Sequence, residues 1–139
     1  MNHTTDTIEP TIRPLVDALN ATGLVQTFSS CEGHFGPDEQ TMVDRNMAYV
    51  QFVPAEDVSA ALVEHLLMSV LTRFKKAHGL MPVVVGGYKR FTPVDGDQVD
   101  ETFVLDLRPF NRFDPADRKR SDTDRAIEQV TGLVRQLLF

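Results

Sequence analysis

Val58, Leu62, Val63, Leu66, Leu67, Val70, Leu71 and Phe74 recur at the spacing of one helix face through the middle of the chain, and no other feature limits the fold as strongly. Asp57 is placed to cap a helix running from Val58 to about His78. Lys75, Lys76 and His78 suit the negative end of its dipole, and Gly79 ends it. So broad an apolar face must be covered by a second layer, which makes this helix the expected centre of the core. Leu66→Ala would then cost about 2–5 kcal/mol.

The segments on either side read as strands. Residues 24–31 are rich in β-branched, aromatic and small types, and Met47 to Val53 alternate Ala48, Val50 and Phe52 against Tyr49, Gln51 and Val53. Val83 to Phe91 form a third strand, where Gly86-Gly87 predicts a bulge or a close backbone approach. Residues 92–97 read as a turn. Thr102 to Phe110 form the fourth strand, with Phe103, Leu105 and Leu107 on one face and Thr102, Val104, Asp106 and Arg108 on the other. That second face is half polar, which suits solvent, a ligand or a partner.

Two more helices complete the pattern. Ile12, Leu15, Val16 and Leu19 predict a short one with Thr11 as N-cap, Pro14 in the first turn and Gly23 just past the end. After a loop at 111–120, Ser121 and Asp124 resemble a capping box. Ile127, Val130, Val134, Leu137 and Leu138 follow at helical spacing. The order is α-β-β-α-β-β-α. The class is α+β, a four-stranded, mainly antiparallel sheet with helices packed mainly on one face. A single domain over 1–139 is expected, with residues 1–10 frayed.

Composition narrows the function classes. The net charge of −6 argues against broad nucleic-acid binding, which is driven by neutralising phosphates. Between Arg108 and Arg125 a local anion or phosphate site is one reading of Arg112, Arg118, Lys119 and Arg120; the interleaved Asp114, Asp117, Asp122 and Asp124 favour a solvated loop and helix start. No apolar run approaches the roughly 18–20 residues of a membrane helix, so no membrane partner is expected. The N-terminus lacks the basic start and apolar segment of a secretory signal, and the single cysteine cannot pair within the chain. A reducing cytoplasm is the expectation.

The chemistry concentrates at Ser29-Ser30-Cys31-Glu32-Gly33-His34, where the only cysteine, a carboxylate and an imidazole fall within four residues. Three uses fit. Cys31 is a nucleophile, with His34 as acid or base and Glu32 or another carboxylate orienting the imidazole. Alternatively Cys31 and His34 are two ligands of a metal-binding module, although no second Cys/His pair completes a structural zinc site. Or Ser29, Ser30 and Gly33 offer hydroxyls and amides to an anionic group. Against all three stands a packing role for a small core cysteine beside a turn glycine. Asp106, Arg108 and Arg112 are candidates for holding a polar ligand, with a plain surface ion pair between Asp106 and Arg108 the competing reading. The loop at 35–46 is longer than a hairpin needs, as functional loops often are.

The run Pro14 to Asn20, followed by Thr27-Phe28-Ser29-Ser30-Cys31-Glu32-Gly33-His34, resembles the N-terminal signature of the wybutosine-synthesising tRNA methyltransferases. There a helix ending in Asn precedes a strand reading Thr-Thr-Ser-Ser-Cys-Ser-Gly-Arg. Asn20, Thr27, Ser29, Ser30, Cys31 and Gly33 match it, over about 25 residues. The resemblance implies a helix-strand-turn unit presenting Ser-Ser-Cys at a cleft, with S-adenosylmethionine as cofactor and a tRNA guanosine derivative as substrate. Glu32 stands where the family has Ser and His34 where it has Arg, which makes the turn less welcoming to phosphate. No cofactor motif is legible in the residues themselves. A Ser-Cys-Glu-Gly-His run is also similar to one in short bacterial proteins of unknown function.

The leading expectation is therefore a small polar or nucleotide-like ligand bound at the 29–34 turn. A non-catalytic assembly protein, using the open sheet face for a second copy or a partner, is the reading from another class.

Overall fold

The computed structural model describes residues 8–35, 47–93 and 95–137. Its elements follow the order α1 (Arg13–Ala21), β1 (Val25–Cys31), β2 (Ala48–Pro54), α2 (Ala60–His78), β3 (Val83–Pro93), β4 (Val99–Pro109) and α3 (Ala116–Gln136). This is the α+β arrangement expected from the sequence. The loop segment 36–46, residues 1–7, Val94 and Leu138 lie outside the described residues.

The strands pair antiparallel in the order β1-β2-β4-β3, so β2 and β4 are central and β1 is an edge. Ala48, Val50 and Phe52 pair with Leu107, Leu105 and Phe103, and all six are buried. This face carries the helices: α1 packs on β1, α2 on β3, and α3 on β4 and on both other helices. The rings of Phe52 and Phe103 stack with centroids 6.1 Å apart at the centre of the layer. Because partners across a strand pair share a face, Tyr49, Gln51, Val104 and Asp106 belong to the opposite one.

Gly87 lies under α2. A Cβ there would come within 2.8 Å of Leu67 Cδ2 and 2.9 Å of Cδ1, so its hydrogen is what lets the helix sit down on β3. The glycine pair thus serves a close approach. On α2 itself Val63, Leu66, Leu67, Val70 and Phe74 are buried, whereas Leu62 is exposed and Leu71 half-buried. The covered stripe is narrower than the apolar periodicity suggests.

Helix starts differ from the sequence reading. Ser59, not Asp57, caps α2, its hydroxyl accepting the Leu62 N–H at 3.2 Å. Asp57 instead adopts φ +64° in the turn before it. In α1, Ile12 occupies the cap position without a side-chain bond, and Pro14 lies in the first turn as expected. Thr11 is no cap: its N–H goes to Glu32 Oε1 at 3.0 Å. The hairpin strands β3 and β4 run two or three residues further toward their turn than expected, in register from Val83↔Pro109 to Pro93↔Val99.

The largest difference is at α3, which begins at Ala116 behind Pro115, within the stretch expected to be a loop. Its first turns bury Lys119 and Thr123 where an apolar residue would have signalled a helix. No helix of the described residues is long and apolar enough to cross a membrane.

Candidate functional site

β1 ends at one corner of the sheet, and its last residues are set by pairing to β2. The register steps between Thr27 and Ser29, after which Ser29, Ser30 and Cys31 oppose Gln51, Val50 and Tyr49. Val50 is in the core, so Ser30 faces the helices, while Ser29 and Cys31 face the other way. Ser30 therefore does not line one hollow with Ser29 and the thiol.

The turn that follows is held from a distance. Gly33 has φ +93°, and a Cβ on it would meet the Phe35 ring at 2.7 Å; only glycine fits. Arg120 of α3 donates from Nη1 to the Gly33 carbonyl and from Nη2 to the Glu32 carbonyl, both at 2.6 Å. Its Nε donates to Asp124 Oδ1 at 2.7 Å, and its guanidinium lies 4.8 Å from the centroid of the Phe35 ring. A planar fork with five donors in fixed geometry spans two carbonyls and a carboxylate at once, where an ammonium would present its three donors from a single point.

Glu9 enters the turn from ahead of α1. Its Oε1 accepts the Glu32 N–H at 2.9 Å, and its Oε2 lies 3.0 Å from His34 Nε2. The Gly33 N–H reaches Cys31 Sγ at 3.4 Å. Ligand atoms of Glu9, Cys31 and His34 all lie within 4.8 Å of one another. Partial burial pushes the Cys31 thiol above its ordinary pKa; the Gly33 N–H pulls it down, and the carboxylates of Glu9 and Glu32 each push it back up by less.

Several sequence expectations change here. The carboxylate beside His34 belongs to Glu9, from a segment expected to be frayed, and the Glu32 carboxylate is turned to the Thr11 N–H. The amides of Glu32 and Gly33, expected to be offered to an anion, are already taken by Glu9 and Cys31. Arg120 and Asp124 belong to the turn's support rather than to a basic patch, and Arg118 lies near Asp114 and Asp122. Nothing local in the sequence marks Glu9 or Arg120, because both contacts are long-range.

Asp106 occupies the same cross-strand row as Cys31, with Tyr49 between them. Two strand spacings, about 10 Å, separate the two backbones. Its carboxylate lies 3.6 Å from Arg108 Nε, the ion pair that competed with a ligand role. Arg112 lies after β4, with its guanidinium 5.5 Å from the Phe113 ring centroid. Lys119 is 1% exposed and, among the described residues, its Nζ has no hydrogen-bond partner, nor does the buried hydroxyl of Thr123 one turn later.

No family model, curated protein or solved structure matches this chain. The chemistry of the corner is therefore argued from its geometry.

Proposed function

We propose that the chain is a metal-binding domain whose site is formed by Glu9, Cys31 and His34, with zinc the best-fitting ion. The observation that carries this reading is the convergence of an oxygen, a sulfur and a nitrogen donor within 4.8 Å. Around a tetrahedral zinc with bonds of about 2.0–2.3 Å, donors stand roughly 3.3–3.8 Å apart. Small rotations close that gap, and His34, 65% exposed, is able to make them. Mixed N, O and S donation suits zinc rather than magnesium or calcium, which favour oxygen alone.

Electrostatics support a cation over a nucleophilic thiol. Carboxylates beside Cys31 disfavour a bare thiolate, and the same carboxylates stabilise a dication bound to it. Zinc would displace the thiol proton and bind the neutral imidazole, so loading should release protons. Three protein donors leave a fourth position for water or a small polar ligand. That is the composition of catalytic zinc sites, where bound water titrates near about 7. In this reading Arg120 is a positioning residue that fixes the turn carrying two of the donors. Cys31 has no partner cysteine in the chain, which fits a reducing compartment such as the cytoplasm.

The test is a zinc titration of untagged protein, with content measured by elemental analysis. About one equivalent is expected, and Glu9→Gln, Cys31→Ser and His34→Ala should each weaken binding by about tenfold or more. Circular dichroism of each variant checks that the fold is kept. Less than about a tenth of an equivalent in the wild type, or unchanged affinity in all three folded variants, overturns the reading.

A further inference from the structure

The face of the sheet opposite the helices carries a hollow of about 470 Å³, within the range of small-ligand sites. Phe28 forms part of its lining because of the register step in β1. Thr27 and Ser29 have partners in β2, and Phe28 between them has none. A bulge of this kind re-aims a side chain. Here it leaves a phenyl ring 41% exposed among polar neighbours.

Those neighbours are chemically varied. Gln26 and Gln51 each bring an amide with both a donor and an acceptor, Asp100 brings a carboxylate, and Arg90 brings a cation. The Arg90 guanidinium enters no ion pair among the described residues. Thr102 is buried, its hydroxyl donating to the Arg90 carbonyl at 3.2 Å and tying the floor to the rim.

A flat apolar ring set among amides, a carboxylate and a guanidinium in no ion pair among the described residues matches a planar base with polar edges that carries an anionic group. We infer that this hollow binds a free nucleotide, its base stacked on Phe28, its edge met by the glutamine amides and its phosphate by Arg90. Base stacking on an aromatic side chain tolerates any base, because every base has a π-face. A single nucleotide is favoured over a nucleic-acid strand, since a chain of net charge −6 repels a polyanion. This site does not depend on the metal reading.

The experiment uses the full chain in EDTA, so that the Glu9–Cys31–His34 cluster plays no part. The probes are AMP, GMP, CMP and UMP, with ribose 5-phosphate and a single-stranded RNA heptamer beside them, followed by amide chemical shifts. Saturable binding of at least one mononucleotide is expected, with shifts centred on residues 26–29, 51 and 90. Phe28→Ala should weaken it about 5- to 150-fold while Phe28→Tyr holds it near the wild-type value. Arg90→Gln should weaken AMP more than adenosine. Both altered side chains are partly or largely exposed, and a Phe28→Ala protein that failed to fold would leave Phe28→Tyr and Arg90→Gln as the deciding pair. No binding by any mononucleotide, or equal binding of ribose 5-phosphate, overturns the inference. So does tighter binding of the heptamer, which assigns the hollow to a strand, or a dimer that Phe28→Ala dissociates without nucleotide affinity in either form.

Discussion

Arg120 and Gly33 lie 87 positions apart in the chain and are joined by a 2.6 Å bond from Nη1 to the carbonyl oxygen. With its second bond to Glu32 and its bond to Asp124, Arg120 ties α3 to the turn that follows β1. Arg120→Ala should cost about 1.5–3 kcal/mol in urea denaturation, the range for hydrogen bonds to a charged group. Arg120→Lys should recover little of this, because a single ammonium cannot reproduce the fork. Both variants should also weaken zinc binding; unchanged zinc affinity in a destabilised Arg120→Ala protein would separate the clamp from the site.

Cys31 gives a pH dependence of fixed sign. Its folded pKa lies above that of an unfolded thiol, about 8.5, so between the two values the native state holds a proton that the unfolded chain has released. The stabilisation is present in full below the unfolded value and disappears as pH rises through the folded one. In EDTA, the rate of alkylation by iodoacetamide should stay low at pH 7 and reach its midpoint at a higher pH than that of the unfolded chain in urea. Glu9→Gln, which removes one of the raising carboxylates, should move that midpoint down.

Lys119 is buried, and its Nζ has no hydrogen-bond partner among the described residues, which leaves a polar group desolvated without return. Lys119→Met keeps much of the aliphatic stem and should raise stability by about 1–3 kcal/mol in urea denaturation. Thr123→Val should be neutral or mildly stabilising for the same reason. A loss of stability in Lys119→Met would mean that the Lys119 side chain has a partner in solution.

Gly87 and Leu67 are coupled by contact. A Cβ on residue 87 would meet both methyl groups and Cγ of Leu67 at 2.8–3.0 Å, so the Leu67 side chain or α2 itself must shift to accommodate it. Gly87→Ala should cost about 1–3 kcal/mol, as overpacking does. In Gly87→Ala/Leu67→Ala the two costs should fall short of additive, and a double-mutant cycle in urea denaturation reads the difference.

The fold was legible because its signals are local. The period of α2, the alternation in β2 and β4 and the glycines after α1 and α2 each state their element within a dozen residues. The start of α3 was not, because Lys119 and Thr123 fill inward positions that a hydrophobic pattern leaves blank. The turn at 29–34 was legible as a place where reactive residues gather, and Cys31 and His34 do meet there. Its carboxylate was not, because Glu9 reaches Glu32 across 23 positions, and adjacency favoured Glu32 itself. Alternation also separates Ser30 from Ser29 and Cys31, which a reading of the Ser29–His34 run by adjacency alone overlooks.

The reach of Arg120 has a consequence for biosynthesis. A nascent chain that has emerged only as far as β4 already carries Glu9, Cys31 and His34, yet the side chain that sets their turn is still inside the ribosome. In the zinc-binding reading proposed above, acquisition of an ion would thereby be tied to α3, and a product truncated before it would hold its donors without the brace that arranges them.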